Sequence, residues 1–232
     1  MGIKERHTRE RENVRSAILT AARSLFLTEG YANVSMRKIA EQIEYSPGAI
    51  YSYFPGKEDI FFALAEEGLQ ILLAHCTAAP HLPDLPAPLD RVREAIWRFY
   101  TFSKAQPEYF SLIFVDEAVP RISRDWERFS FVRQLRQGIE AQIQACIDEG
   151  VFPGAVSASS VFRVLSTAVY GASVFRLSNR LAPGEDADAL AHDVLEAALG
   201  GLQSGVRLRF EACCDTREPL PGTTSAEELG VS

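Results

Sequence analysis

Residues 35–57 read SMRKIAEQIEYSPGAIYSYFPGK. Ser35 and Ser46 each precede apolar residues at helical spacing, and serine side chains commonly cap helix N-termini. The pattern predicts two short helices, from about Met36 to Ile43 and from about Pro47 to Phe54, joined by a turn of three or four residues. Such a pair is helix-turn-helix architecture, whose second helix enters the major groove in DNA-binding proteins.

The second predicted helix begins with small residues and continues with hydroxyl groups. Gly48 and Ala49 let its backbone approach the floor of the major groove, which is about 12 Å wide and admits one helix. The hydroxyls of Tyr51, Ser52 and Tyr53 are able to bond phosphates or base edges. The alternative is that the two tyrosines are half-buried packing residues.

The charge distribution favours a basic N-terminal end. Residues 1–57 carry nine Lys or Arg and six Asp or Glu, so they are net +3 and leave −10 on the other 175 residues of a chain with charge −7. Lys57 begins a predicted helix beside unpaired backbone N–H groups, an arrangement that favours phosphate. The arm from Lys4 to Arg15 would lie along phosphates or in the minor groove, or would be a frayed, solvated end.

Helical periodicity continues along almost the whole chain, which indicates an all-α protein. Helices are predicted from Lys57 to Ala78, from Ser157 to Leu181 and from Asp186 to Gly201. Four prolines in residues 79–88 predict an exposed connector. We expect an N-terminal domain over 1–62, to which the helix over 57–78 links a regulatory domain over 63–211, and a disordered polar tail over 212–232.

Residues 14–61 resemble the DNA-binding domain of the TetR/AcrR family of bacterial transcription regulators. The resemblance rests on a helix, a Gly-aromatic turn, a Ser-capped helix and a closing pattern formed by Tyr51, Tyr53, Phe54, Lys57, Glu58, Ile60 and Phe61. One departure is Glu44, where the family usually has glycine at the end of the second helix. A glutamate there must accept the conformation of the turn or change it, and it places a negative charge near DNA.

The resemblance implies an N-terminal helix-turn-helix domain and a C-terminal helical domain for ligand binding and dimerisation. It implies a homodimer on a near-palindromic double-stranded DNA operator, released by a small-molecule effector, and favours a repressor. The residues it implies at the DNA are Arg37, Ser46, Pro47, Gly48, Ala49, Tyr51, Ser52, Tyr53 and Lys57.

The helix predicted from Ser157 is apolar around most of its circumference, which indicates burial on more than one side. A second copy of the chain would cover one side and the chain's own core the other. The alternative is a helix central to a monomeric core. The expected interface residues are Val161, Leu165, Val169, Ala172, Leu190, Val194, Leu195 and Ala198.

Aromatic residues are dense between positions 89 and 175, which suits a pocket for an apolar or aromatic effector. Aromatic residues also fill cores, so each one has core packing as its alternative. The candidates are Trp97, Tyr100, Phe110, Phe114, Trp126, Phe129, Phe162 and Tyr170.

No catalytic motif occurs in the sequence, so we expect no enzyme and no cofactor. His75, Cys76 and His81 match no metal-ligand spacing, and no metal is expected. The charged N-terminus and the lack of a run of about 18 apolar residues predict a cytoplasmic protein without a membrane segment. Cys213 and Cys214 lie in the tail and indicate no role. The competing hypothesis is a helical sensor of small molecules or proteins that has lost DNA binding.

Overall fold

The structure is a computed structural model that describes residues 3–77, 87–122, 127–153 and 156–209, with backbone alone for Ile3 and Lys4. The candidate ligand residue Trp126 lies outside the described residues, as do His81, most of the expected connector, and the expected tail with its two cysteines.

The described residues form nine α-helices and contain no strand, which confirms the all-α expectation. A 3-10 turn, Tyr31–Asn33, follows the first helix, and a π-helical turn, Ser111–Val115, follows the sixth. In chain order the helices are α1 Ile3–Glu29, α2 Met36–Gln42, α3 Pro47–Tyr51, α4 Lys57–Thr77, α5 Pro88–Ala105, α6 Pro107–Phe110, α7 Ser130–Asp148, α8 Ala158–Leu177 and α9 Ala187–Gln203.

Polar caps set the starts of four helices. Ser35, Ser46, Ser157 and Asp186 each accept a hydrogen bond from a backbone N–H in the first turn of the helix that follows. Such caps satisfy donors that have no partner inside the helix. The predicted starts of α2, α3, α8 and α9 are therefore confirmed to within one residue.

The predicted end of α3 at Phe54 is wrong, because the helix ends at Tyr51. Phe54 precedes Pro55, and a residue before proline is disfavoured in the helical region. The N–H of Tyr53 bonds the carbonyl of Ile50 at 2.9 Å, which tightens the last turn.

The predicted end of α8 at Leu181 is also wrong, because the helix ends at Leu177. Asn179 has a positive φ of 54°, and the N–H of Arg180 bonds the carbonyl of Phe175 at 3.0 Å. This is a Schellman ending, in which asparagine is one of the few residues that tolerates the left-handed conformation.

Hydrophobic side chains form two clusters. The head core, as we call the first, joins α1–α4 and extends into the body of the protein through Phe102, Tyr109, Phe110 and Phe129. The second cluster joins α5, α7, α8 and α9. The N-terminal helices therefore share their core with the segment that follows α5.

α6 and the π-helical turn form the junction between the N-terminal helices and the body. A Cβ atom built on Gly68 of α4 would lie 2.6 Å from Cδ1 of Tyr109 and 2.7 Å from Cδ1 of Ile113. From α1, Nη1 of Arg23 donates to the Tyr109 hydroxyl at 2.7 Å, and its Nε lies 3.3 Å from Glu108 Oε2. The junction therefore contacts both α1 and α4.

α8 packs one side into the core of its own chain. Val161, Leu165 and Val169 have no exposed surface, and Ala172 and Leu195 are also buried. A side chain that is fully covered within one chain has no surface left for a second copy. These five predicted interface residues are therefore corrected to core residues, whereas Leu190, Val194 and Ala198 are half-buried.

α4 is the one helix among the described residues that is long and apolar enough to cross a membrane by length and composition. Half of its most apolar 18-residue stretch is buried inside the fold, where Ile60, Phe61 and Leu64 belong to the head core. Core helices of soluble proteins have this composition, so α4 is not a convincing membrane span.

Candidate nucleic-acid interface

α2 and α3 are joined by a turn in which Glu44 adopts the left-handed backbone conformation. Glu44 has a φ of 59°, its N–H bonds the carbonyl of Glu41 at 3.2 Å, and the N–H of Tyr45 bonds the carbonyl of Ala40 at 3.0 Å. This pair of bonds is a Schellman motif with Glu44 at the left-handed position. The glutamate accepts the conformation that glycine usually supplies and does not change the turn.

We expect Glu44→Gly to stabilise the protein by about 1 kcal/mol, because glycine adopts the left-handed conformation without the clash of a Cβ atom. Thermal unfolding monitored by circular dichroism checks this, with an expected rise of about 2–4 °C in Tm. Glu44→Gln is the matched control, since it removes the charge but keeps a Cβ atom in the left-handed conformation. Equal stability of the two variants would contradict the prediction.

α3 buries one face and exposes the other. Ile50 and Phe54 are buried in the head core. Tyr51 is 53% exposed, and a Cβ atom built on Gly48 would meet nothing within 4 Å. The exposed set among the predicted DNA-binding residues is Arg37, Ser46, Pro47, Gly48, Tyr51 and Ser52, and Ala49 is half-buried. The hydroxyl of Ser52 donates to the Ala49 carbonyl at 2.6 Å.

Tyr53 is half-buried against the head core, unlike Tyr51. The guanidinium of Arg11 lies 5.8 Å from the centre of its ring, and that of Arg15 lies 5.2 Å from the centre of the Phe54 ring. These distances fall in the range of cation–π interactions. Tyr53 therefore packs inward and also supports an arginine of α1 beside α3.

Tyr45 is a residue of this surface that the sequence analysis did not single out, whereas Arg11 and Arg15 belong to the arm from Lys4 to Arg15 that was expected along phosphates or in the minor groove. Tyr45 is 45% exposed in the turn before α3. Its position next to a left-handed residue is a signal that could have identified it. The arginines are four residues apart, which places them on one face of α1, but their contact with α3 is not visible in sequence.

Two further basic residues of α2 form ion pairs within the domain. Nε of Arg37 lies 2.8 Å from Glu41 Oε1, with the arginine side chain 79% exposed. Lys38 pairs with Glu29 of α1. Exposed pairs on one helix are worth little, so Arg37 can exchange Glu41 for a phosphate at small cost.

Lys57 connects the start of α4 to the turn after α1. Its Nζ donates to the carbonyl of Tyr31 at 2.8 Å and lies 4.2 Å from the centre of that ring. Burial lowers the pKa of Lys57. Burial, followed by the charges of Glu58 and Asp59, raises the pKa of Tyr31 to about 12. From the body, Asp116 Oδ2 accepts the Tyr31 N–H at 3.3 Å.

The described aromatic residues that were expected to hold an effector pack against other side chains of the fold. Tyr100 is buried and donates to Asp188 Oδ1 at 2.7 Å, and Trp97 packs on it. Phe110, Phe114 and Tyr170 pack on one another. Phe129 lies in the head core, and Phe162 packs under Arg136.

A cleft of about 660 Å³ lies between α4, α5 and α7. None of the seven described candidates lines this cleft, whose own lining residues the sequence analysis did not predict. Among the described residues there is no group of three metal-ligating side chains. Cys76 and Cys146 are buried free thiols.

A family model described as "Bacterial regulatory proteins, tetR family" matches residues 18–64, which run from the middle of α1 into α4. The chain belongs to the TetR family. The matched region contains α2, the Glu44 turn and α3, so the TetR-family match and the helix-turn-helix geometry coincide.

Among curated TetR-like relatives, the chain is similar to the HTH-type transcriptional regulator HbdR of Aromatoleum sp. (strain CIB), with 28% identity over 140 residues, or 60% of each chain. It is also similar to the HTH-type transcriptional repressor AcnR of Corynebacterium diphtheriae, with 42% identity over 53 residues, which span 23% of this chain and 28% of AcnR. The match thus spans less than two thirds of either relative. Both are named as transcription regulators rather than as enzymes.

A solved structure shares the TetR-family fold. The regulator PfmR of Thermus thermophilus superposes with a TM-score of 0.60 at 18% identity, over 82% of this chain and 99% of PfmR. At that identity the likeness concerns the fold alone.

Proposed function

We propose that this protein is a cytoplasmic, ligand-responsive transcription regulator, and specifically a repressor, that binds double-stranded DNA as a homodimer. The observation that carries the proposal is the presentation of α3: Tyr51 is 53% exposed and Gly48 is open to solvent, while Ile50 anchors the helix from behind. Residues 1–62 form the DNA-binding domain, and residues 63–211 form the regulatory domain.

In the DNA complex, α3 enters the major groove. Gly48 lets the helix backbone approach the bases, Pro47 and Ala49 flank it, and the Tyr51 hydroxyl bonds a base edge or a phosphate. The residues expected to bond the phosphates beside α3 are Arg37, Ser46, Ser52, Tyr53 and Lys57. Arg11 and Arg15 of α1 are expected to bond phosphates as well.

The homodimer forms through the outer faces of α8 and α9. Phe175 is 50% exposed at the end of α8, and no neighbour lies within 4 Å of a Cβ atom built on Gly171, one turn before it. An exposed phenylalanine next to an open small residue is a surface on which a second helix can pack. On α9, Leu190, Val194 and Ala198 are half-buried, and we assign their exposed parts to the same interface.

The twofold symmetry of the dimer fixes the operator. Two recognition helices enter successive major grooves about 34–36 Å apart, so the operator is a near-palindrome. A small-molecule effector releases the DNA by binding more tightly to the conformation in which this spacing is lost, because equal affinity for both conformations shifts nothing.

The experiment is selection of binding sequences from random DNA by the full chain. The expected result is a near-palindromic motif with half-site centres about 10 base pairs apart. Absence of any enriched motif would contradict the proposal and support a sensor that has lost DNA binding. Glu44, exposed beside α3, is the observation that favours that second candidate.

Tyr51→Ala should weaken binding to the selected operator by about tenfold or more, since a specific base contact is worth about 1–3 kcal/mol. Folding should be unchanged because the side chain is exposed. Fluorescence anisotropy with labelled operator measures the affinity. Tyr51→Phe removes the hydroxyl alone and should also lose affinity, and an unchanged affinity for Tyr51→Ala would remove this hydroxyl from the interface.

Arg11→Ala should reduce the dependence of operator affinity on salt by about one charge, because each phosphate contact releases condensed counterions. Arg6, which pairs with Glu10 further along α1, provides the matched control in Arg6→Ala. Titrations at several salt concentrations give the slopes. Identical slopes for wild type and Arg11→Ala would place Arg11 away from the DNA backbone.

A further inference from the structure

The turn that follows α1 is bonded to a carboxylate from a distant part of the chain. Tyr31 is buried at the start of the 3-10 turn, where backbone N–H groups have no partner within the turn itself. Asp116, which directly follows the π-helical turn, accepts the Tyr31 N–H through Oδ2 at 3.3 Å, across 85 positions of sequence. A buried N–H without an acceptor is costly, so this bond stabilises the position of Tyr31.

Asp116 is oriented by the backbone around it. Its Oδ1 accepts the N–H of Ala118 at 2.9 Å, and its own N–H bonds the carbonyl of Ser111 at 3.0 Å. The carbonyl of Phe114 accepts the hydroxyl of Tyr170 in α8 at 2.8 Å. Each carboxylate oxygen of Asp116 therefore has its own donor, a requirement that asparagine cannot meet because one end of its amide group is a donor.

Tyr31 also holds the ammonium group of Lys57. Nζ of Lys57 donates to the Tyr31 carbonyl at 2.8 Å and lies 4.2 Å from the centre of the ring. The ring of Tyr31 packs on that of Phe61, with 5.7 Å between the ring centres. A shift of Tyr31 would therefore move the ammonium of Lys57. An ammonium has more than one N–H donor, so the bond to Tyr31 leaves others for a phosphate.

We propose that Asp116 is a positioning residue for the phosphate contact of Lys57. Asp116 holds the N–H of Tyr31, and the carbonyl of the same residue holds the Lys57 ammonium where it meets the DNA backbone. A carboxylate far from the helix-turn-helix in sequence thereby supports DNA binding. The phosphate contact rests on the proposed function, whereas the chain of contacts from Asp116 to Lys57 does not.

The proposal predicts an effect of opposite sign to simple electrostatics. Loss of a negative charge ordinarily strengthens the attraction of a protein to a polyanion. Asp116→Ala should instead weaken operator binding by up to about tenfold, the loss expected when a charged hydrogen bond is misplaced. The dependence of affinity on salt should fall by about one charge. Fluorescence anisotropy with labelled operator at several salt concentrations measures both quantities.

Glu117→Ala is the matched control for Asp116→Ala. Glu117 is the next residue and is exposed, so its substitution makes the same change of charge without the bond to Tyr31. This variant should bind the operator at least as tightly as wild type. An Asp116→Ala chain that binds as tightly as Glu117→Ala would overturn the proposal.

A double-mutant cycle with Lys57→Gln separates positioning from a general loss of stability. Once Lys57 has lost its charge, Asp116→Ala should cause little further loss of operator affinity, because both changes remove the same contact. Losses that add fully would overturn the proposal. Asp116→Asn keeps the size of the side chain and one acceptor, so it supplies the same cycle if Asp116→Ala does not fold. Thermal unfolding by circular dichroism shows which variants are folded.

A measurement without DNA keeps this proposal separate from the proposed function. Burial lowers the pKa of Lys57. Asp116→Ala should raise this pKa towards its ordinary value, because the released ammonium reaches water, whereas loss of a negative charge alone would lower it. NMR titration of the lysine side chains measures the pKa, and Lys57→Gln identifies the signal. An unchanged pKa in a chain that binds its operator would overturn the positioning role alone. A raised pKa would support the positioning of Lys57 by Asp116 even in a chain that binds no operator, a result that would overturn the proposed function.

Discussion

Val169→Glu should prevent the C-terminal helices from folding, whereas Phe175→Glu should leave them folded and separate the two copies. Val169 has no exposed surface and lies in the second hydrophobic cluster. A carboxylate there would be buried without a partner, so we expect the free energy of unfolding to fall by about 4 kcal/mol or more. Thermal unfolding by circular dichroism measures it.

Phe175→Glu places the new charge in water as long as the chain is monomeric, because the side chain is 50% exposed. In a twofold dimer each copy would lose the burial of a phenylalanine, worth about 1.5 kcal/mol or more per copy, so the dimer should weaken by about a hundredfold or more. Sedimentation measures it, with Phe175→Tyr as the control. A Phe175→Glu chain that sediments as wild type would contradict this interface, and a folded Val169→Glu chain would contradict the assignment of Val169 to the core.

Gly68→Ala should destabilise the junction between α4 and α6. The added methyl group would lie within 3 Å of Tyr109 and Ile113, and the Tyr109 ring is buried and cannot move aside. Overpacking of this kind costs about 1–3 kcal/mol, partly offset by the better helix propensity of alanine, about 1 kcal/mol. Chemical denaturation measures the net loss.

Gly138→Ala is the matched control for Gly68→Ala. It makes the same change inside a helix, but in open space, so it should raise the free energy of unfolding by up to about 1 kcal/mol. The two substitutions should therefore have opposite signs. A Gly68→Ala chain as stable as Gly138→Ala would show that α6 does not pack closely on α4.

Local features of the fold were predictable from sequence because local chemistry determines them. Serine and aspartate caps, together with Pro47, fix where helices begin, and their hydrogen bonds stay within one turn. The ends of α3 and α8 were harder to predict. Each depends on one residue, Pro55 or Asn179, that interrupts an apolar pattern which otherwise continues.

The surfaces of the protein were less predictable, because periodicity shows which side chains are apolar but not what covers them. Val161, Leu165 and Val169 form the most apolar stripe of α8, and the chain's own helices cover it. The aromatic density between 89 and 175 is likewise mostly core, and the cleft is lined largely by aliphatic and amide side chains instead. The contact of Arg11 with Tyr53 joins residues 42 positions apart, which no local pattern reveals.

The head core includes Phe102, Tyr109, Phe110 and Phe129, which lie well beyond the helix-turn-helix. A fragment cut after α3 or early in α4 would leave the apolar side chains that face them bare in water. The helix-turn-helix segment therefore cannot be transferred to another protein on its own. A chimera that takes its helix-turn-helix from a relative must also take a compatible α6 segment, including the partners of Gly68 and Arg23. Without that segment we expect the chimera to lose solubility and the coupling between its two parts.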